Sequence, residues 1–331
     1  MQQDSKKRSA GKTIFRLLAL FLVPAFIIGT VTAVAGRNYY DIYDWYKLRD
    51  YTPTPQIEKL ATDSYMTGSA KNIFYVHDPQ LNEKTAFNKN CPFAERTFVL
   101  GCYTGSNIYL LDVTEDKLTG VETVTAAHEM LHAAYSRLSL SDREEVDQLL
   151  HEAFAKQDDK RLKDLIEDYR KHDSASVPTE LHSILATEVK RLDPKLEEYY
   201  SKYFTDRSKV VTEYENYEGV FAGLENEITN LQAKIDKSGL EIKQLEANIM
   251  ATRDKINSVN AKLSKLDSSG DIAGYNALVP EQNSLVNKHN ADFRAYEALI
   301  NTHNADVKKI NEIVVKQNSL VNSIDSKFEE I

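Results

Sequence analysis

The chain has 331 residues, of which 42% are hydrophobic and 27% are charged, and its formal net charge is −9. This length accommodates two domains, and the composition is ordinary for a folded protein with a long exposed helical part. Because the net charge is negative and basic residues cluster only at the N-terminus, the sequence argues against nucleic-acid binding.

The N-terminus carries the pattern of a membrane anchor. Basic residues precede an uncharged stretch over residues 17–36, and these 20 residues are enough to cross a bilayer. Since basic residues mark the cytoplasmic side, we predict a cytoplasmic tail over residues 1–13, a single-pass transmembrane anchor in the cell membrane over 14–36, and an extracytoplasmic location for the rest. Ala33-Val34-Ala35 matches a signal-cleavage site, so secretion after signal cleavage is the alternative. The aromatic residues between 39 and 46 are typical of a membrane–water interface.

Residues 37–204 are predicted to form one domain of the α+β class, mainly α, with a small sheet. Short runs rich in β-branched and aromatic residues predict its strands at 72–77, 97–100 and 107–113. The two cysteines of the chain, Cys91 and Cys102, fit a disulfide formed outside the cytoplasm. Two free thiols or a metal-binding pair are the alternatives.

His128-Glu129-Met130-Leu131-His132 is the most informative motif of the chain. Its spacing places two imidazoles one helical turn apart on the same face of a helix. The surrounding residues, 121–138, contain no proline and carry an apolar stripe at helical spacing, so they predict that helix. Two neutral imidazoles so placed can hold Zn²⁺, and Glu129 can accept a proton from the attacking water as general base. The alternative is a pair of surface histidines on an ordinary amphipathic helix.

A catalytic zinc ion needs a third protein ligand, and the helical segment 177–204 offers Glu180, Glu188 and His182. With these residues the chain resembles the gluzincins, zinc peptidases that carry H-E-x-x-H on one helix and a glutamate ligand on a later one. The resemblance covers about residues 121–200. It is specific in the first motif and loose in the second, because the acidic residue that often follows the ligand glutamate by four positions is absent.

The resemblance implies that Glu180, which follows Pro178 and Thr179 at the start of a helix, is the third ligand. Helical geometry favours Glu188 instead, since it falls within the apolar arc of the same helix. Glu188 is thus the alternative ligand, or a group that orients a ligand histidine. His182 is a further candidate.

The function that the resemblance implies is a membrane-anchored extracytoplasmic zinc metallopeptidase with a zincin-like domain over 37–204. It would hydrolyse peptide bonds of a protein or peptide substrate, with Tyr103 or Tyr135 as candidates to stabilise the oxyanion. One alternative is a surface coiled-coil interaction or adhesion protein whose zinc domain is inactive or structural. Another is a cell-wall peptide hydrolase.

The C-terminal part carries a coiled-coil pattern. Over residues 214–266 and again over 286–328, apolar residues recur in alternating steps of three and four, and turn-forming residues between 267 and 280 separate the two runs. Residues 205–331 are therefore predicted to form a long antiparallel coiled-coil hairpin. The predicted register pairs residue numbers that sum to 545, so that Ser238 faces a large apolar residue. Such a hairpin could bind a protein partner or self-associate.

Overall fold

The computed structural model describes residues 39–92 and 99–327. The predicted cytoplasmic tail and transmembrane anchor, residues 1–36, lie outside the described residues. Within the two described ranges, no helix has both the length and the apolar character needed to cross a bilayer. The chain folds into two compact units. The first contains the described residues up to Asp112 together with Gly120–Tyr214, and the second contains Val113–Thr119 together with the residues from Glu215.

The first unit combines a small sheet with a helical layer, as predicted for a mainly α protein of the α+β class.

The elements of both units follow in chain order. Up to the end of the sheet they are α1 (Tyr39–Leu48), α2 (Pro55–Asp63), α3 (Gly68–Val76), β1 (Gln80–Asn82), α4 (Lys84–Asn90), β2 (Gly101–Tyr103) and β3 (Ile108–Leu111). After a 3₁₀ turn at Asp116–Leu118 come α5 (Val121–Ser136), α6 (Leu140–Ala155), α7 (Lys160–His172), α8 (Val177–Glu188), α9 (Pro194–Tyr200), α10 (Arg207–Ser269) and α11 (Ile272–Ile324).

The sheet has the strand order β1-β3-β2, with β1 parallel and β2 antiparallel to β3. Strand β3 confirms the prediction at 107–113. The prediction of a strand at 72–77 was wrong, because Thr67 caps a helix there by accepting a hydrogen bond from the Ala70 amide at 3.2 Å. Ala70 and Phe74 then lie on one buried helical face. Half of the strand predicted at 97–100 lies outside the described residues. Val99 and Leu100 are not part of a strand and directly precede β2, which begins at Gly101.

Helix α5 lies at the centre of the first unit. It packs against α8, α2 and α3 and against strands β2 and β3. Ala126, Ala127, Met130 and Ala133 on this helix are completely buried. Small alanine side chains allow neighbouring helices to approach closely, which explains how one helix contacts so many elements.

Helices α10 and α11 are two long helices packed together as a hairpin. The predicted break over 267–280 was too long: only Gly270 and Asp271 separate the helices, and Pro280 lies inside α11. Gly270 has a positive φ of 74°, and the Asp271 carboxylate caps α11 by accepting a hydrogen bond from the Gly274 amide at 2.9 Å. A two-residue turn of this kind suffices for an antiparallel pair.

The polar contacts of this hairpin join residues about one helical turn from the pairs of the predicted register. The Ser238 hydroxyl lies 2.7 Å from His303 Nδ1, whereas the predicted register pairs Ser238 with Val307. Two further interhelical hydrogen bonds agree with this alignment, Tyr296 to Glu246 and Gln282 to Asn260. The residue numbers of these three pairs sum to 541 or 542 rather than 545. The Glu227–Lys309 ion pair, whose residue numbers sum to 536, shows that long polar side chains reach along the seam. The register with a sum of 545 therefore stays a prediction.

Candidate metal centre

The local sequence determines where helix α5 begins. Gly120 precedes it with φ = 98°, a backbone conformation that favours glycine. A Cβ at this position would also lie 2.7 Å from Glu213 Oε2. The helix then continues without interruption to Ser136. His128 and His132 are consequently one turn apart, with their ring centroids separated by 4.6 Å.

Helix α8 brings a carboxylate to these two imidazoles. Glu180 lies in the first turn of α8, just after Pro178, and α8 packs against α5. Glu180 Oε2 is 3.6 Å from His128 Nε2, and Glu180 Oε1 is 3.5 Å from His132 Nε2. One ligand atom from each of the three residues lies within 4.8 Å of the others. These three residues form the cluster that could hold a metal ion, and we refer to them as the metal cluster.

The orientation of His132 is set by two hydroxyl groups of α8. His132 Nδ1 lies 2.9 Å from Thr179 Oγ1 and 3.4 Å from Ser183 Oγ. When Nδ1 carries the proton and donates it to these hydroxyls, Nε2 keeps its lone pair directed toward Glu180. This is the tautomer that a metal-binding imidazole requires. Thr179 and Ser183 were not predicted from the sequence, in which their spacing of one helical turn around Glu180 was the only available signal.

The electrostatics of the metal cluster favour a cation. Burial disfavours the charged form of His128, but the carboxylates of Glu180 and Glu129 outweigh it and raise the His128 pKa to about 9. At His132 burial prevails and lowers the pKa to about 4. Burial of Glu180 raises its pKa, but the two histidines and a hydrogen bond from Tyr169 hold that pKa below its ordinary value. At neutral pH a positive charge on His128 thus lies beside an ionised Glu180.

Glu129 is buried between α5 and the edge strand β2, and only 5% of it is exposed. Gly101 of β2 makes this arrangement possible. A Cβ at position 101 would lie 2.7 Å from Glu129 Cγ and Oε1 and 2.6 Å from Thr125 Cγ2. Such distances are far below van der Waals contact, so the backbone of β2 approaches Glu129 as closely as a glycine permits. Gly101 was not predicted from the sequence as a residue of the site.

A disulfide bond lies beside this contact. Cys102, the neighbour of Gly101 in β2, is bonded to Cys91, which follows the C-terminal end of α4. The bond ties the edge strand to a helix that packs against β1 and β3. The disulfide thereby links the strand that confines Glu129 to the end of α4.

The other two candidate ligands lie outside the metal cluster. The Glu188 carboxylate forms an ion pair with Arg161 of α7. His182 is completely buried, and its Nε2 lies 2.8 Å from the Tyr199 hydroxyl. Burial lowers the pKa of His182 to about 3, so this histidine is a neutral part of a buried aromatic cluster.

The two tyrosines considered for oxyanion stabilisation are engaged elsewhere. The Tyr135 hydroxyl donates a hydrogen bond to Asp147 Oδ1 at 2.7 Å. The Tyr103 hydroxyl lies 3.3 Å from both His77 Nε2 and Ser136 Oγ, at the C-terminal end of α5. Tyr169 of α7 instead donates a hydrogen bond to Glu180 of the metal cluster. It was not predicted, because α7 is distant in sequence from the motif.

The arrangement is chemically competent to bind a divalent metal ion. Two imidazole nitrogens and a carboxylate converge from two helices, and one imidazole is oriented by hydroxyl groups behind it. A fourth group, the Glu129 carboxylate, comes from α5, the helix that carries both histidines. The chain matches no protein-family model, no curated protein and no solved structure.

Proposed function

We propose that this protein is a membrane-anchored, extracytoplasmic zinc metallopeptidase of the gluzincin type. The observation that carries the proposal is the convergence of His128, His132 and Glu180 with Glu129 next to them on α5. Two histidines and a glutamate are a recurrent ligand set for catalytic zinc, which leaves a coordination position open for water and substrate. The N-terminal basic and apolar pattern supports the membrane location.

Each residue has a defined task in peptide hydrolysis. Zinc, when bound, supplies Lewis-acid activation of the scissile carbonyl and of the attacking water. His128 and His132 present their Nε2 atoms as ligands, and the negative charge of the Glu180 carboxylate neutralises part of the positive charge of the ion. Glu129 accepts the proton of the attacking water and passes it to the leaving amine. Its proximity to His128 is reflected in its effect on the pKa of that histidine.

Thr179 and Ser183 support the reaction indirectly. Their hydroxyls accept from His132 Nδ1 and so hold the ring in the metal-binding tautomer. Gly101 supports it by leaving space for the Glu129 side chain. These contacts fix a general base and a ligand on rigid elements, which proton transfer in a hydrolytic reaction requires.

One experiment tests metal and chemistry together. The full-length protein is purified in detergent, its zinc content is measured, and cleavage of a peptide library is followed by mass spectrometry. Glu129→Gln should retain about one zinc ion while hydrolysis falls by roughly 10²–10⁴-fold, because only the general base is lost. Glu144→Gln, the same change at an exposed position of α6, is the matched control. Cleavage that persists in Glu129→Gln would contradict the proposal.

A second candidate function rests on the hairpin of α10 and α11. Two helices of 63 and 53 residues are far longer than a hydrolase active site requires. In this alternative the hairpin binds a partner protein and the metal cluster is structural. Bound zinc without cleavage of any peptide, together with the same behaviour of wild type and Glu129→Gln, would favour it.

A further inference from the structure

Helix α1 is a surface feature that the proposed chemistry does not use. Only one of its ten residues, Asp44, is buried. Its large apolar and aromatic side chains are instead exposed, with Trp45 at 68% and Tyr46 at 64%; the others are Tyr39, Tyr40, Ile42 and Tyr43. Contiguous exposed apolar surface of this kind marks an interaction site, whereas single exposed apolar residues are ordinary.

Helix α1 is nevertheless held firmly against the rest of the first unit. The Asp44 carboxylate accepts two hydrogen bonds from the Arg137 guanidinium, at 2.7 and 3.0 Å. Both side chains are only 10% exposed, so this bidentate pair is shielded from solvent and resists screening by salt. The Arg137 guanidinium also lies 4.9 Å from the ring centroid of Tyr40. The exposed aromatic side chains are thus presented on a helix with a fixed attachment.

The position of α1 in the chain indicates what covers it. The uncharged apolar stretch over residues 17–36 ends three residues before Tyr39, where α1 begins. Tyrosine and tryptophan combine an apolar ring with a polar group and are enriched where a protein meets the lipid headgroups. Lys47, whose ammonium group lies 6.0 Å from the ring centroid of Tyr43, is placed to contact lipid phosphates. The Arg49 guanidinium nearby donates its hydrogen bonds to the Asp50 carboxylate.

We propose that the exposed face of α1 lies in the headgroup region of the bilayer that residues 17–36 are predicted to cross. Through the Asp44–Arg137 pair, this contact fixes the orientation of α5 relative to the membrane, because Arg137 is the C-cap residue that directly follows α5. His128 lies nine residues earlier on the same helix, or about 14 Å along its axis. The inference rests on the membrane anchor of the proposed function and is independent of its zinc chemistry.

The chain contains a natural reporter for this surface. Trp45 is its single tryptophan, so the intrinsic tryptophan fluorescence of the whole protein comes from α1. The full-length protein is reconstituted into phosphatidylcholine vesicles whose acyl chains are brominated either near the glycerol end or near the terminal methyl group. We expect blue-shifted emission, quenching several-fold stronger by bromine near the glycerol end, and weak quenching by aqueous iodide.

Matched variants separate the lipid surface from its alternatives. Replacing Tyr39, Ile42 and Tyr46 by serine should weaken bromine quenching, whereas Asp41→Ser on the same helix should not. Emission at a water-exposed wavelength with strong iodide quenching would overturn the proposal. So would blue-shifted emission without bromine quenching, because a second copy or a protein partner would then cover α1. Loss of peptidase activity in Glu129→Gln has no bearing on this readout, so the two proposals fail separately.

The orienting role of the ion pair needs a second measurement. Both cysteines are in the disulfide, so a dye can be attached selectively to Glu145→Cys, an exposed position of α6. Energy transfer from this dye to an acceptor at the lipid surface should give one narrow distance distribution. The double variant Asp44→Ala/Arg137→Ala removes both charges, leaves no unpaired buried ion, and should broaden that distribution while Trp45 remains quenched by lipid. An unchanged distribution would refute the orienting role.

Discussion

The metal cluster and the helical hairpin are stabilised in opposite ways. In the metal cluster, each group is held by a few specific contacts between elements far apart in sequence, such as that of His132 with Thr179. In the hairpin, one apolar seam repeats over more than fifty residues, and most side chains are exposed. The metal cluster thus depends on a few contacts that nothing else replaces, whereas the hairpin depends on many equivalent ones. A single substitution should therefore be severe in the first unit and mild in the hairpin.

The largest expected difference concerns charge removal. Glu180→Gln removes the negative ligand from the metal cluster and should lower zinc affinity by roughly 100-fold or more. Glu227→Gln makes the same change in the hairpin, where it breaks only an exposed ion pair with Lys309, and should leave zinc affinity unchanged. Competition with a fluorescent chelator measures both. Equal affinities in wild type and Glu180→Gln would remove this residue from the ligand set.

Glu188→Gln sharpens this prediction. Glu188 pairs with Arg161, so its amide variant should retain zinc even if the first unit becomes less stable. Should zinc be lost in Glu188→Gln and kept in Glu180→Gln, the alternative ligand considered from the sequence would be correct.

Glycine substitutions give the next largest contrast. Gly101→Ala forces a methyl group into Glu129 and Thr125, which should displace Glu129, the proposed general base, and lower hydrolysis by roughly 10–100-fold while zinc stays bound. Gly219→Ala on α10 has nothing within 4 Å of the new methyl group. It should stabilise the helix by about 1 kcal/mol and leave hydrolysis unaltered.

A second-site change tests whether the loss in Gly101→Ala comes from this steric contact. Thr125→Ser removes the methyl carbon that lies nearest the new side chain but keeps the hydroxyl bonded to Val121 O. The double variant Gly101→Ala/Thr125→Ser should recover part of kcat. A loss of zinc in Gly101→Ala alone would show that the whole site, rather than Glu129, has moved.

Acid should destabilise the first unit through His182. Burial holds its pKa at about 3 in the folded state, whereas an unfolded histidine binds a proton near pH 6.5. The unfolded state thus binds more protons between these pH values, so stability falls as pH falls. From pH 7 to pH 5 this histidine should cost about 2 kcal/mol. Urea unfolding at both pH values, with chelator present, measures the loss.

The variant His182→Gln isolates this contribution. It should be less stable than wild type at pH 7, and the difference should shrink by about 2 kcal/mol at pH 5. His303→Gln in the hairpin serves as the control, since His303 remains partly exposed. A constant difference between wild type and His182→Gln across this pH range would contradict the buried neutral histidine.

The smallest expected effect lies in the hairpin. Ser238 and His303 share one interhelical hydrogen bond, so Ser238→Ala and His303→Ala should show a coupling energy of about 1 kcal/mol in a double-mutant cycle. The register with a sum of 545 would instead couple His303 to Ile242. A larger coupling energy between His303 and Ile242 would support the predicted register.

Periodicity predicted the parts of the fold that depend on local spacing. Helix α5 and the two long hairpin helices follow from apolar residues three and four positions apart, and β3 follows from its β-branched and aromatic run. The strand predicted at 72–77 was wrong because Ile73, Phe74 and Tyr75 favour strands by their side chains. The Thr67 cap and the burial of Phe74 stabilise a helix there instead. Tertiary context overrides weak propensity in such short segments.

The hairpin register shows a different limit. A seam with alternating steps of three and four stays in contact after a slide of half a heptad, so the apolar pattern alone does not choose. The choice depends on polar partners across the helices, Ser238 with His303 and Glu246 with Tyr296. The sequence of either helix taken alone contains no pattern that predicts these pairs.

For the site, local spacing was enough to predict three groups on one helix, two imidazoles and a carboxylate, because His128 and His132 lie about one turn apart with Glu129 between them. Only the tertiary structure selected Glu180 over Glu188, since the packing of α8 on α5 directs one toward the histidines and leaves the other with Arg161. The same packing supplied Thr179, and the close approach of β2 supplied Gly101. Contacts between distant segments depend on how elements pack, and no spacing within one segment encodes them.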